Sequence, residues 1–288
     1  MESKRRVILY TILVFAFSSV FYYFAIPKPR LPHLFLWLMW CPALASFVTT
    51  IITKRPWREY GWKPGPFTYL AKGYYFPLLY AVPAYLIVWL TGLGGFPNHE
   101  TLDGVRKFLH VPGLSDPAVS VLYLAVIAIV LVPLSLISAT GEEIGWRGFL
   151  VPELTKWVGF KKAAIISGII WAVWHMPLII AGPYSVSGTP RAYQVLCFAL
   201  MVISIAVAFA WVRMKSGSFW PAAIFHASHN AFIQAYFDRM TRDNGHTNFF
   251  IGEFGIMMVP FCIVLAIYCW KRAPQEANAT LSASTANP

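Results

Sequence analysis

Residues 118–139 read AVSVLYLAVIAIVLVPLSLISA, an unbroken apolar run without a charge, and the chain turns at once to TGEEIGWR over 140–147. The run matches the roughly 20 apolar residues that a helix needs to cross about 30 Å of hydrocarbon. Working outward from it, comparable runs lie at 7–27, 33–53, 68–92, 162–181, 192–212, 218–237 and 249–270, about eight spans in all. Backbone N–H and C=O groups in hydrocarbon must find partners within their own segment, which selects helices over open sheets. The expected fold is therefore all-α, a polytopic transmembrane helical bundle. Composition points the same way: only 12% of residues are charged, against about 25% in ordinary soluble domains. Lipid has to cover much of the surface.

One bundle over 1–271 accounts for nearly the whole chain, and the small polar tail at 272–288 is expected to be disordered. The start, MESKRR, followed by about 20 apolar residues, resembles a signal peptide, but the run exceeds a normal h-region and reads as a retained first span. Cys41, Cys197, Cys262 and Cys269 all fall in apolar runs without a CxxC pair, and read as small bundle hydrophobes.

The net charge of +11 does not indicate nucleic acid, because the basic residues sit between apolar runs. There they set topology and meet anionic headgroups of the bilayer. With the N-terminus inside, the inner segments carry 16 Lys and Arg and the outer loops 7. Both termini are thus expected in the cytoplasm.

Acidic and histidine residues inside apolar runs are the informative exceptions, since a charge at mid-membrane costs about 2.5–3.5 kcal/mol on insertion scales. Three clusters qualify: Glu142-Glu143 with Arg147, Trp171 with His175, and His226 with His229 and Asn230. Glu143 and Arg147 are four apart and stack on one helix face as an ion pair. Glu142 lies about 100° further round and points elsewhere, towards the bundle interior. His226 and Asn230 share a face, with His229 close to both. Each cluster alone has a structural explanation: a solvated helix end, a hydrogen-bonded core histidine, interhelical polar contacts. Together, on three helices, they supply a general base, an orienting imidazole and two donors for a developing oxyanion. There is no GxSxG and no Ser or Cys obviously paired with a histidine, so in a hydrolase the attacking group is water. The runs place Glu142 at the cytoplasmic end of its span, with His175 and His226 nearer mid-membrane. Either the fourth span runs on, or the pocket is a funnel open to the cytoplasm.

In these motifs the chain resembles the CPBP intramembrane proteases, also called the CAAX protease or Abi family, which includes type II CAAX prenyl endopeptidases. The family pattern is EExxxR, FxxxH and HxxxN or HxxxD on separate helices. It matches Glu142-Glu143…Arg147, Trp171…His175 and His226…Asn230, with tryptophan at 171 where phenylalanine is usual. The resemblance covers roughly 118–237. It implies a peptidase in which Glu142 activates water with His175 and later protonates the leaving amine. It further implies that His226 and Asn230 hold the oxyanion, while Glu143 and Arg147 brace the helix, and that the substrate is a membrane-anchored peptide or prenylated protein. The family is also described as metalloproteases. Glu142, His175 and His226 match a zinc set in residue type, yet the chain has no HExxH, and metal-free glutamate catalysis with no cofactor is the favoured reading. The alternatives are a proton-coupled transporter, in which buried Glu and His form a relay, and an inactive scaffold of the same fold.

Overall fold

The computed structural model describes residues 1–27 and 32–273. The expected polar tail falls almost wholly outside the described residues. Helices α1 (Glu2–Ala25), α2 (Pro32–Thr53) and α3 (Phe67–Leu90) come first, then a short α4 (His99–Leu109). A long run follows, made of α5 (Asp116–Val126), a π segment at Ile127–Leu131, α6 (Val132–Glu143), a second π segment at Ile144–Leu150 and α7 (Val151–Val158). Next are α8 (Phe160–Ile180) and α9 (Arg191–Ser216), and then α10 (Trp220–His229), which continues through a π segment at Asn230–Phe237 into α11 (Asp238–Met240). The last helix is α12 (Met258–Lys271). Large apolar side chains such as Ile12, Leu79, Val121 and Ile129 are exposed, as lipid-facing positions require. The chain is an all-α bundle of integral membrane type.

Six described helical runs are long and apolar enough to cross a membrane. The seventh expected span is the helical stretch Trp220–Met240, diluted by the polar side chains of the candidate site. The eighth needs correction: its helix begins only at Met258, and residues 250–257 are loop. The reason is visible in the sequence. Gly252, Glu253 and Gly255 interrupt the apolar run there, and glycine disfavours helix by about 1 kcal/mol relative to alanine.

Successive spans alternate between two ends of the bundle. At the N-terminal end, Arg55 Nε donates to Glu153 Oε1 at 2.9 Å, Lys156 Nζ to Glu59 Oε2 at 2.7 Å, and Arg213 to the carbonyls of Arg147 and Glu59 at 2.8 and 2.9 Å. At the opposite end, Gly95 pairs with Arg242, Asn98 Nδ2 reaches the Arg239 carbonyl and Asn248 Nδ2 the Ser187 carbonyl. The first helix is an integral part of the core. Tyr10 and Val14 are buried, Tyr22 donates its hydroxyl to the Trp174 carbonyl, and Trp174 Nε1 donates to Ser18 Oγ at 2.7 Å.

Two glycines fix how α2 meets the long run. A Cβ at Gly141 would come within 2.8 Å of the Met39 carbonyl and the Trp40 ring, and one at Gly145 within 2.5 Å of Pro42. Small residues four apart allow such backbone approach between membrane helices. They bring α2 against the stretch that carries both glutamates.

Candidate active site

Glu142 and Glu143 close α6, and the backbone widens into the π segment immediately after them. Such wide turns are rare and recur at functional sites. Both carboxylates are buried, yet they meet different partners. Glu143 Oε1 accepts from Arg147 Nη1 at 2.8 Å and lies 3.0 Å from His226 Nδ1. Glu142 Oε2 accepts from two indoles, Trp146 Nε1 at 3.1 Å and Trp171 Nε1 at 2.8 Å. No described residue hydrogen-bonds Glu142 Oε1. The Arg147 guanidinium is held between the Trp171 and Phe209 rings, 4.2 Å from each centroid. That cation–π geometry, worth about 2 kcal/mol when desolvated, replaces partners for Nε and Nη2, which have no hydrogen bond.

His175 is fixed by its own helix: Nδ1 lies 2.9 Å from the Trp171 carbonyl. A carbonyl only accepts, so Nδ1 carries the proton and Nε2 of the neutral ring keeps its lone pair. The ring is packed among Trp174, Phe198 and Tyr184, with centroids 4.8, 5.0 and 6.0 Å away. Asn230 opens the π segment of the seventh span, and no hydrogen bond ties its carboxamide to a described residue.

Glu142, His175, His226 and Asn230 line one cavity of about 260 Å³. The three motifs therefore converge, and Glu142 does not face away from the histidines. Apolar side chains including Leu38, Phe198, Met201, Val202 and Ile205 make up much of the rest of the wall. Trp171 does more than the sequence comparison with phenylalanine suggests, because its N–H binds Glu142. The depth problem is resolved by the first alternative: the fourth helical run continues unbroken from Asp116 to Val158. The side chains towards the N-terminal end are aromatic and charged. Beyond Glu142 and His226 that end is filled by Arg147, Phe149, Tyr60 and the Arg55–Glu153 pair, all buried.

His229 belongs to a second network. Its Nδ1 lies 2.5 Å from Tyr80 Oη and its Nε2 2.8 Å from Glu253 Oε1. Glu253 also accepts from Gln234 Nε2 at 3.1 Å and from the Tyr184 hydroxyl. Glu253, Tyr184 and Gln234 line the same cavity as Glu142, and none was singled out from sequence. A signal existed, since Glu253 is the one acid in the apolar run 249–270.

The donor set does not favour a resident metal. Among the described residues no three His, Cys, Asp or Glu side chains are gathered as a metal-binding group. Glu142 Oε2 is committed to two indoles and His226 Nδ1 faces Glu143.

Comparison with known proteins bears on the same stretch. Residues 119–232 match the family model of type II CAAX prenyl endopeptidases, Rce1-like. A CAAX prenyl protease 2 from Methanococcus maripaludis is 35% identical over 97 residues, covering 32% of this chain and 35% of that protein. The match thus spans about a third of the relative's length. Residues 119–232, which hold all four candidate catalytic side chains, are thus the stretch of the chain that is similar to CAAX prenyl endopeptidases.

Proposed function

We propose that the protein is a membrane-embedded endopeptidase that hydrolyses a peptide bond of a membrane-anchored substrate, prenylated proteins of CAAX type being the class its family suggests. One observation carries the proposal: Glu142 has one oxygen held by two indole N–H groups and the other unpartnered, in a cavity shared with His175, His226 and Asn230. A carboxylate anchored through neutral donors keeps a fixed lone pair for proton abstraction.

In the proposed reaction a water sits between Glu142 Oε1 and His175 Nε2. Glu142 takes one proton, the water oxygen attacks the scissile carbonyl carbon, and the C=O electron pair moves onto oxygen. The resulting oxyanion accepts hydrogen bonds from Asn230 Nδ2–H and His226 Nε2–H. His226 directs Nδ1–H to Glu143, so donation from Nε2 requires the imidazolium. Charge supports that state, because Glu142 and Glu143 face a single guanidinium, Arg147, and one further positive charge neutralises the cluster. Collapse of the intermediate breaks the C–N bond as Glu142 returns its proton to the amine. No metal enters these steps.

The test is purified wild type against Glu142→Gln on a fluorogenic farnesylated peptide, with and without a chelator. The expected outcome is cleavage by wild type that survives chelation and is lost in the variant. Cleavage abolished by chelator and restored by zinc would replace this mechanism with a metal-dependent one.

A further inference from the structure

We infer that Gln234 is a substrate-binding residue: its carboxamide oxygen accepts a main-chain N–H of the bound polypeptide, and Glu253 holds it in the orientation that allows this. The inference deepens the endopeptidase reading and rests on it for the polypeptide nature of the occupant.

Gln234 stands four residues beyond Asn230 in the same π segment, and both line the catalytic cavity. Gln234 also lines a second cavity of about 330 Å³, which shares Tyr184 and Glu253 with the first. Its side chain is exposed, yet its carboxamide is not free to turn. Nε2 donates to Glu253 Oε1 at 3.1 Å. A carboxylate only accepts, so the amide nitrogen faces it and Oε1 is directed elsewhere. Glu253 is itself only 7% exposed. His229 Nε2 lies 2.8 Å from the same carboxylate oxygen, and the Tyr184 hydroxyl donates to the other. Tyr80 Oη in turn meets His229 Nδ1 at 2.5 Å. Residues from α3, the α8–α9 loop, the seventh span and the loop before α12 therefore combine to fix one exposed amide. An acceptor held still before binding lowers the cost of ordering it when a ligand arrives.

A polypeptide in the cavity brings main-chain N–H groups that need acceptors once they leave water. Of the polar side chains on the wall, Glu142, His175, His226 and Asn230 have roles at the scissile bond, while Glu253, His229 and Tyr184 are bonded together. Gln234 Oε1 has no hydrogen-bond partner among the described residues. Side chains four apart on a helix have Cβ atoms about 5–6 Å apart, and an extended chain advances about 3.3 Å per residue. With the scissile carbonyl at Asn230, Gln234 reaches an N–H within about two residues of it. Such a contact grips the main chain and is blind to the identity of the side chain. Gln234 also lies beyond residue 232, where the match to the family model ends.

The experiment uses the full-length protein and the fluorogenic farnesylated peptide, with each non-scissile amide beside the cleaved bond replaced in turn by an ester, which deletes one N–H. In wild type one ester should raise KM about 3–10-fold, the loss of one hydrogen bond, with little change in kcat. Gln234→Leu should raise KM for the parent peptide by the same factor and show no further loss with that ester. Position 234 is exposed, so this variant should unfold with wild type. Glu253→Gln presents a donor as well as an acceptor and releases the Gln234 amide to turn, so it should raise KM and remove the ester effect in the same way. An ester series that affects Gln234→Leu as it affects wild type overturns the subsite and leaves the endopeptidase reading standing. A Glu253→Gln protein that melts early but keeps the ester effect overturns the positioning role of Glu253. Should wild type cleave none of the peptides, their binding to it by fluorescence anisotropy decides. An ester effect on Kd that Gln234→Leu abolishes keeps the subsite and removes the peptidase, whereas no binding, or binding without that effect, removes both.

Discussion

Replacing Glu142 by glutamine separates chemistry from architecture more cleanly than any other single change. The side-chain amide is isosteric, and its carbonyl oxygen takes the place of Oε2, keeping both the 3.1 Å bond from Trp146 and the 2.8 Å bond from Trp171. Bonds to an ionised acceptor are roughly twice as strong as neutral ones. Two of them weakened in this way cost about 1–2 kcal/mol. Arg147 still has Glu143 at 2.8 Å, so no buried charge is left alone. The rate, by contrast, should fall by about 10²–10⁴, the usual worth of a general acid–base group, and towards the upper end because one residue serves both proton transfers. Glu143→Gln should do the reverse. It strips the counter-charge from a buried guanidinium, a loss on the order of 3–5 kcal/mol, and lowers melting temperature before it alters chemistry directly. Cleavage of a fluorogenic prenyl-peptide measures the first effect. A thiol-reactive dye measures the second, because Cys41, Cys197, Cys262 and Cys269 are all buried and react only on unfolding. A Glu142→Gln protein with more than a tenth of wild-type activity would refute the assignment, and so would one that melts as early as Glu143→Gln.

Trp171→Phe restores the aromatic usual in the family pattern but deletes the 2.8 Å bond to Glu142; the rate should drop about 10-fold, the equivalent of one hydrogen bond to a charged group at about 1.5 kcal/mol, and an unchanged rate would show the indole N–H to be idle. Asn230→Ala should cost about 10²–10³ in kcat with little change in KM, as loss of one oxyanion donor does; a purely KM effect would argue for substrate binding instead. Glu253→Ala removes the acceptor shared by His229, Gln234 and Tyr184 and should destabilise by about 2–3 kcal/mol through the unpaired buried donors, read as an earlier dye transition.

The spans and the three motifs were legible because both are one-dimensional signals. Length of apolar run marks a crossing, and an acid or histidine inside such a run marks a site. Interleaved positions such as 142 and 143 could also be assigned to different faces from helix geometry alone. What sequence did not disclose is three-dimensional or conformational. The π segments at Ile144–Leu150 and Asn230–Phe237 have no residue signature, although they adjoin the candidate base and the candidate oxyanion donor. The Glu143–His226 contact joins residues 83 positions apart. Glu253 was passed over because hydropathy absorbed it into a span, whereas flanking Gly252 and Gly255 make that stretch a loop that folds back over the cavity.

The contrast between the paired glutamates comes down to what stands four residues further on. Glu143 meets Arg147, a full charge, and Glu142 meets Trp146, a neutral donor. Had the order of those partners been reversed, the guanidinium would sit on the carboxylate that faces the cavity and suppress its basicity, since a nearby positive charge favours the ionised form. As arranged, Arg147 is drawn off by Glu143 and clamped by two rings, so its field reaches Glu142 from a distance without a hydrogen bond to it. Glu143 in turn holds His226 through Nδ1 at 3.0 Å, fixing the ring that the proposed chemistry uses as an oxyanion donor. One ion pair therefore serves both halves of the proposed chemistry: it leaves the base free and orients the donor, and neither of its own members has to touch the substrate.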